Sequence, residues 1–148
     1  MAVRRIGHAQ VIIDTSALIA IARAEDDAAL YATAIEDAAH ICLSAANLLE
    51  AAIVADRSGD PITSRIFDQI VRESGLVIEP VTAEQALIAR EAYRDFGKGS
   101  GHPAGLNFGD CFAYALAKDR NEALLYKGND FVHTDVRSAL EKPASAGD

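Results

Sequence analysis

Three β-branched residues in an unbroken run, Val11-Ile12-Ile13, are followed at once by Asp14-Thr15-Ser16. A strand that is apolar on both faces has to be covered on both faces. Asp, Thr and Ser are helix-start residues, so the chain passes directly from strand to helix. The pattern recurs: Ile41-Cys42-Leu43, Leu76 to Ile78 and Ala123 to Tyr126 are short apolar runs separated by amphipathic segments. Short buried strands alternating with helices predict an α/β fold, a single domain with a short central parallel sheet flanked by helices on both faces.

The intervening segments read as helices from their apolar spacing. Ala17 to Ala22 forms a small one and Asp26 to Ala39 a second. Ser44 caps a third that runs to Arg57, with Leu48, Leu49, Ala52 and Ile53 at core spacing. Pro61 suits the first position of a fourth helix, whose buried stripe is Ile62, Ile66, Phe67, Ile70 and Val71, and which Gly75 ends. Thr82 and Gln85 form a capping box for a fifth helix reaching Phe96, with Ala86, Ala89, Tyr93 and Phe96 on its inner face. After the Gly-rich loop from Gly97 to Gly105, Asn107 opens a sixth, with Phe108, Cys111, Phe112, Ala115 and Leu116 inward. A turn or short strand follows Lys127-Gly128-Asn129 through Asp135. Residues 1–9 read as a basic leader, 10–140 as the domain and 141–148 as a flexible tail.

The chain of 148 residues is half apolar, enough for one full core. Its two cysteines, Cys42 and Cys111, sit in apolar surroundings and read as buried free thiols, which suits a reducing cytoplasm. The apolar stretch from Val11 to Ala22 behind Arg4-Arg5 imitates a signal peptide, but Asp14 breaks it where a charge is expensive. No apolar run approaches the roughly 18 residues needed to span a membrane.

In open α/β sheets, ligands bind beyond the carboxyl ends of the strands. Asp14 follows the first strand, Glu50 lies in the helix after the second, and Asp130 follows the fourth. Asp110 opens a helix that follows a loop. Asn47 and Glu50 are three residues apart, as are Asn107 and Asp110, so each helix presents a carboxylate with an amide beside it, off the apolar stripe. Taken singly, each acid has a plainer reading as a helix cap, a solvated helix residue or a turn residue. Together they map to one rim. Clustered carboxylates repel unless some stay protonated or a cation intervenes. Oxygen ligands select Mg²⁺, with Mn²⁺ as substitute, over zinc, and the scattered His8, His40, His102 and His133 suggest no zinc site. A carboxylate-bound Mg²⁺ suits phosphodiester hydrolysis.

These residues match a family. Val-Ile-Ile-Asp-Thr-Ser-Ala-Leu at 11–18 resembles the opening of PIN-domain ribonucleases. Ser44 through Glu50 resembles their second motif, Asn107-Phe-Gly-Asp110 with Cys111-Phe-Ala-Tyr-Ala-Leu-Ala their third, and Leu124 through Phe131 with Thr134-Asp135 their fourth. The resemblance covers roughly residues 10–140. The compact length is similar to that of the VapC toxins of bacterial toxin–antitoxin pairs. It implies a Mg²⁺-dependent endoribonuclease acting on structured RNA of the tRNA or rRNA class. It also implies a homodimer silenced by a VapB-type antitoxin, in a heterotetramer or larger assembly. By position, Asp14 and Asp110 would be the main metal ligands. Glu50 would complete the acidic set, Asp130 would act through water or a second metal, and Thr15 and Ser16 would steady the strand end. The leader is longer than such a toxin needs, and Asn129, Asp130 and Asp135 compete for the fourth role.

The net charge of −8 argues against broad electrostatic attraction to nucleic acid. Local contacts would fall to Lys98, His102 and Lys127, with Arg90, Arg94 and Lys98 in one row if the helix reaches that far; the plainer reading of that row is a solvated face. The alternatives are a Mg²⁺-dependent phosphatase, a nuclease outside toxin–antitoxin systems, a phosphoacceptor receiver or a degenerate scaffold. Ser16 stands where a haloacid-dehalogenase-type phosphatase needs a second Asp. Glu79-Pro80 follows the third strand where a receiver needs a phosphorylatable Asp.

Overall fold

The structure is a computed structural model that describes residues 8–141. Apart from residues 8, 9 and 141, the expected leader and tail therefore lie outside the described residues. Ten elements follow in chain order: β1 (Gln10–Ile13), α1 (Thr15–Ala22), α2 (Ala28–Asp37), β2 (His40–Ser44), α3 (Ala45–Arg57), α4 (Pro61–Glu73), β3 (Val77–Glu79), α5 (Ala83–Phe96), α6 (Phe108–Arg120) and β4 (Ala123–Leu125).

The four strands form one parallel sheet in the order β3-β2-β1-β4. β1 is central, pairing Val11 with Ile41 on one side and with Ala123 on the other. Alternation along the strands builds two cores. Val11, Ile13, Ile41, Leu43 and Leu125 face a cluster with α1, α2, α3 and α4, including Leu18, Tyr31, Ala51 and Phe67. Ile12, Cys42 and Leu124 face the opposite cluster with α5 and α6, including Ala92, Leu106, Leu116 and Phe131. Both cysteines are free and buried. This is the α/β architecture the strand runs imply.

Several helix faces are rotated from the expected ones. On α3, Leu49 and Ile53 are 64% and 46% exposed, whereas Asn47 is fully buried. On α5 the buried residues are Gln85 and Ala92, while Ala86 is exposed and Tyr93 is 45% exposed. On α6, Phe108 is 76% exposed, and on α4 Ile62 faces out while Thr63 and Phe67 are buried. For α3, α5 and α6 the reason is shared: an apolar stripe locates a buried face only when every apolar side chain packs into the core. Here Leu49, Ile53, Phe108 and Phe112 line one continuous apolar groove, and Ala86, Tyr93, Phe108 and Phe112 line its neighbour.

Two other expectations shift. The Thr82 hydroxyl does cap α5 through the Gln85 backbone N–H at 3.1 Å, but the Gln85 side chain donates to Asp119 instead of closing the box. After β4 the chain forms turns, then returns along the far side of the strand: the Leu124 N–H donates to Arg137 O at 2.8 Å and the Ala139 N–H to Leu124 O at 2.9 Å. That return covers what would otherwise be an open sheet edge.

Candidate active site

Asp14 follows the last residue of β1 and is the N-cap of α1. Its backbone N–H donates to Leu125 O on β4 at 2.9 Å, so the strand pairing itself fixes the position. The side chain is 3% exposed. Oδ2 accepts from the Ser16 N–H at 3.0 Å and the Ser16 hydroxyl at 2.5 Å. Oδ1 is buried and has no hydrogen-bond partner. Burial pushes this carboxyl up to about 6, and the negative charge of Glu50 adds to the rise while the Ser16 donors oppose it.

Asp110 lies in the first turn of α6. Its Oδ2 accepts from the Asn107 N–H at 3.0 Å, and its own N–H donates to Asn107 Oδ1 at 2.9 Å. The pair is thus a complete capping box. The plainer reading of these residues is structurally correct, and it is also what aims the carboxyl. Burial pushes Asp110 up to about 7, with the charges of Asp14 and Asp130 and a hydrogen bond with Asp130 adding to it; the Asn107 N–H works against the rise.

Glu50 sits half-buried on α3, where its Oε1 accepts from the Thr15 hydroxyl at 2.6 Å and from Asn47 Nδ2 at 3.3 Å. Asp130 is exposed, in the turn after β4. That turn is tied to the strand end because the Lys127 N–H donates to Ser16 Oγ at 2.9 Å, and Ser16 in turn holds Asp14. The four acids therefore form an electrostatic chain: Glu50 acts on Asp14, Asp14 on Asp110, and Asp130 on Asp110. Asp135 stands apart, accepting from the Tyr114 hydroxyl at 2.6 Å and from Lys118 at 2.8 Å. Of the two acids competing for the fourth position, Asp130 is the one beside Asp110.

The residues fit a divalent cation in a particular way. Among the described residues, no three His, Cys, Asp or Glu side chains converge closely enough to enclose an ion. Two carboxylates do not need to enclose one: Mg²⁺ keeps several waters and is typically held by one or two carboxylates plus substrate phosphate oxygens. The orphaned Asp14 Oδ1 is the kind of buried acceptor such an ion satisfies.

The expected RNA contacts are spread out. Helix α5 ends at Phe96, so Lys98 lies beyond it and the row from Arg90 through Arg94 to Lys98 is not formed. Lys98 is exposed at the start of the Gly-rich loop. His102 packs edge-on against Phe96 at 4.9 Å, and its Nδ1 accepts from the Ala104 N–H at 3.1 Å. The Lys127 ammonium is engaged by Glu25 at 3.3 Å and Asp27 at 3.0 Å. Sequence spacing puts Asn47 beside Glu50, as the structure does, but on a face off the apolar stripe, whereas Asn47 is fully buried. Its only signal is an amide three residues before an acid on a helix otherwise packed with apolar residues.

The PIN domain family model matches residues 11–137. Ribonuclease VapC28 of Mycobacterium tuberculosis is 60% identical over 132 residues, spanning 89% of this chain and 99% of that protein. Ribonuclease VapC30 of the same species is 48% identical over 128 residues, spanning 85% and 95%. Among solved structures, M. tuberculosis VapC20, described as a Sarcin-Ricin loop cleaving toxin, shares the fold with a TM-score of 0.69 at 15% identity, over 90% of this chain and 99% of that one. A toxin-antitoxin complex from Klebsiella pneumoniae does so with a TM-score of 0.65 at 14% identity, over the same shares. The Asp14 strand end, the capped Asp110 and the turn bearing Asp130 all fall within the matched span, and the chain belongs to the PIN-domain family, among the VapC ribonucleases.

Proposed function

We propose that this chain is a Mg²⁺-dependent endoribonuclease toxin that hydrolyses phosphodiester bonds in structured RNA and is silenced by a VapB-type antitoxin. The observation that carries the metal reading is the buried, unpartnered Asp14 Oδ1 beside a second desolvated carboxyl, Asp110. Asp14 and Asp110 hold the ion, for which Mn²⁺ can substitute. Bound there, a divalent cation supplies an activated water and neutralises charge developing on the phosphate. Glu50, fixed by Thr15 and Asn47, orients the attacking water. Asp130, exposed beside Asp110, acts through water at the open side of the site. Lys98 and His102 border the approach for a phosphate backbone. Lys127 would have to leave Glu25 and Asp27 to join them. The description of VapC20 as a Sarcin-Ricin loop cleaving toxin supports the structured-RNA class for a chain of this fold, and a cytoplasmic setting fits that reading.

The apolar grooves support the partner reading. Exposed contiguous apolar surface marks a protein interaction site, and Leu49, Ile53 and Phe108 supply it. We assign this surface to the homodimer. The antitoxin reading draws support from fold neighbours such as the toxin-antitoxin complex from K. pneumoniae.

Asp14→Asn and Asp110→Asn are each expected to lower Mg²⁺-dependent cleavage of a structured RNA by more than about 100-fold, at or beyond the upper end for residues that merely support a metal site. Lys98→Glu is expected to raise KM with little change in kcat. Equal cleavage by wild type and both Asn variants would refute the mechanism.

Stability should report the same site. A carboxyl raised from 3.8 to about 6 stabilises the folded protein fully below pH 3.8, and that advantage is lost progressively as pH rises from there through 6. For Asp14 the loss over that whole window is roughly 3 kcal/mol, of which roughly 1.4 kcal/mol falls above pH 5. Metal-free protein should therefore melt lower at pH 7.5 than at pH 5. Asp14→Asn should melt at least about 5 °C above wild type at pH 7.5, and Mg²⁺ should raise the wild type's midpoint but not that of the variant. A metal-independent, flat profile in calorimetry would contradict the account.

In sedimentation velocity, wild type is expected to run as a dimer, and Ile53→Asp with Phe108→Glu as a folded monomer. A dimer that survives both changes would place its interface elsewhere.

A further inference from the structure

Two residues that carry no catalytic chemistry of their own determine where the Glu50 carboxylate can sit. Gly109 is a helical residue on α6, and none of its backbone angles requires glycine. In that setting glycine costs about 1 kcal/mol relative to alanine. The reason for it is space: a Cβ at Gly109 would overlap Glu50 Oε2 and lie 2.6 Å from Glu50 Cδ and 2.8 Å from Oε1. The Glu50 carboxylate thus lies flat against the backbone of α6, one residue before Asp110.

Asn47 fixes the same contact from the other side. It is fully buried on α3, and its Nδ2 donates to Gly109 O at 3.0 Å and to Glu50 Oε1 at 3.3 Å. One amide therefore joins the helix carrying Glu50 to the helix carrying Asp110. The arrangement is costly, because Asn47 Oδ1 is buried with no hydrogen-bond partner. A leucine would fill a similar volume without that penalty. A polar side chain kept in a core at such a cost points to a role other than packing.

We propose that Asn47 and Gly109 are positioning residues for Glu50: Gly109 leaves the space its carboxylate occupies, and Asn47 locks that carboxylate and the first turn of α6 into one frame. The inference rests on the nuclease reading above, in which Glu50 completes the acidic set. It extends that reading to two residues that carry no carboxylate of their own and act through Glu50.

The test uses the full chain and two readouts: Mn²⁺ affinity by electron paramagnetic resonance without RNA, and kcat and KM for cleavage of a structured RNA. Glu50→Ala and Gly109→Ala should each weaken Mn²⁺ binding and lower kcat by about 10-fold or more, as loss of a supporting contact at a metal site does, with KM little changed. The double variant should be no worse than Glu50→Ala, because alanine at position 50 removes the atoms that a Cβ at 109 would strike. Asn47→Leu should lose Mn²⁺ affinity and kcat to a similar extent while keeping the wild-type thermal midpoint.

The proposal is overturned if Gly109→Ala binds Mn²⁺ as wild type does, or if it adds its full effect to that of Glu50→Ala. It also falls if Asn47→Leu loses function only in step with unfolding. Should Glu50→Ala prove fully active and metal-competent, the positioning role fails while the nuclease reading stands. Should wild type cleave no RNA, the nuclease reading fails, and the Mn²⁺ arm still decides the positioning role.

Discussion

A carboxylate at the end of a central strand is desolvated from every side. Asp14 is held there by the β1–β4 hydrogen bond to Leu125 and covered by the start of α1. Burying an ionised carboxylate is costly unless it is paired or binds a metal. The rest of the site answers that cost. Ser16 satisfies one oxygen, the other is left without a partner, and Asp110 is brought near by a helix whose own cap points its carboxyl inward. The desolvation that raises both acids would also strengthen their hold on a cation in the proposed metal reading.

The scaffold around this strand end is rigid where the chemistry requires it. β1 is flanked by strands on both sides, and its residues alternate between two cores. α3 and α6 come from opposite sides of the sheet but meet through Asn47 and Gly109. The turn carrying Asp130 is anchored twice, by the Lys127 N–H to Ser16 and by the buried Phe131. Of the four acids, Asp130 is the most exposed, which suits action through water better than direct ligation. Burial also holds the nearby Cys111 thiol up at about 11, so it stays protonated and takes no part.

Much of this was legible in the residues themselves. Strand runs such as Val11-Ile12-Ile13 admit only a doubly covered sheet, and Asp14 follows directly from where such a strand must end. Asp110 was visible through its spacing from Asn107, which the structure turns into a capping box. The helix faces were less legible, because apolar periodicity cannot separate a side chain bound for the core from one that lines a surface groove. Leu49, Ile53, Tyr93 and Phe108 are apolar and exposed, so a stripe drawn through them points outward. Asn47 was visible through its spacing from Glu50, but its burial was not: a polar residue on a helix is ordinarily solvated, and its burial depends on α6 arriving from more than sixty residues away. The isolation of Asp135 depends on Tyr114 and Lys118, which only tertiary contact brings to it.

The central claim is that Asp14 and Asp110 share one divalent cation. Anomalous X-ray scattering from crystals of the protein grown with Mn²⁺ tests it most directly. The account predicts a manganese peak bonded to Asp14 Oδ1 and to an Asp110 oxygen at about 2.0–2.2 Å, near the range for hard octahedral cations, with waters completing the shell. Manganese bound only elsewhere, or none at saturating concentration with Asp14 Oδ1 still unpartnered, would contradict it.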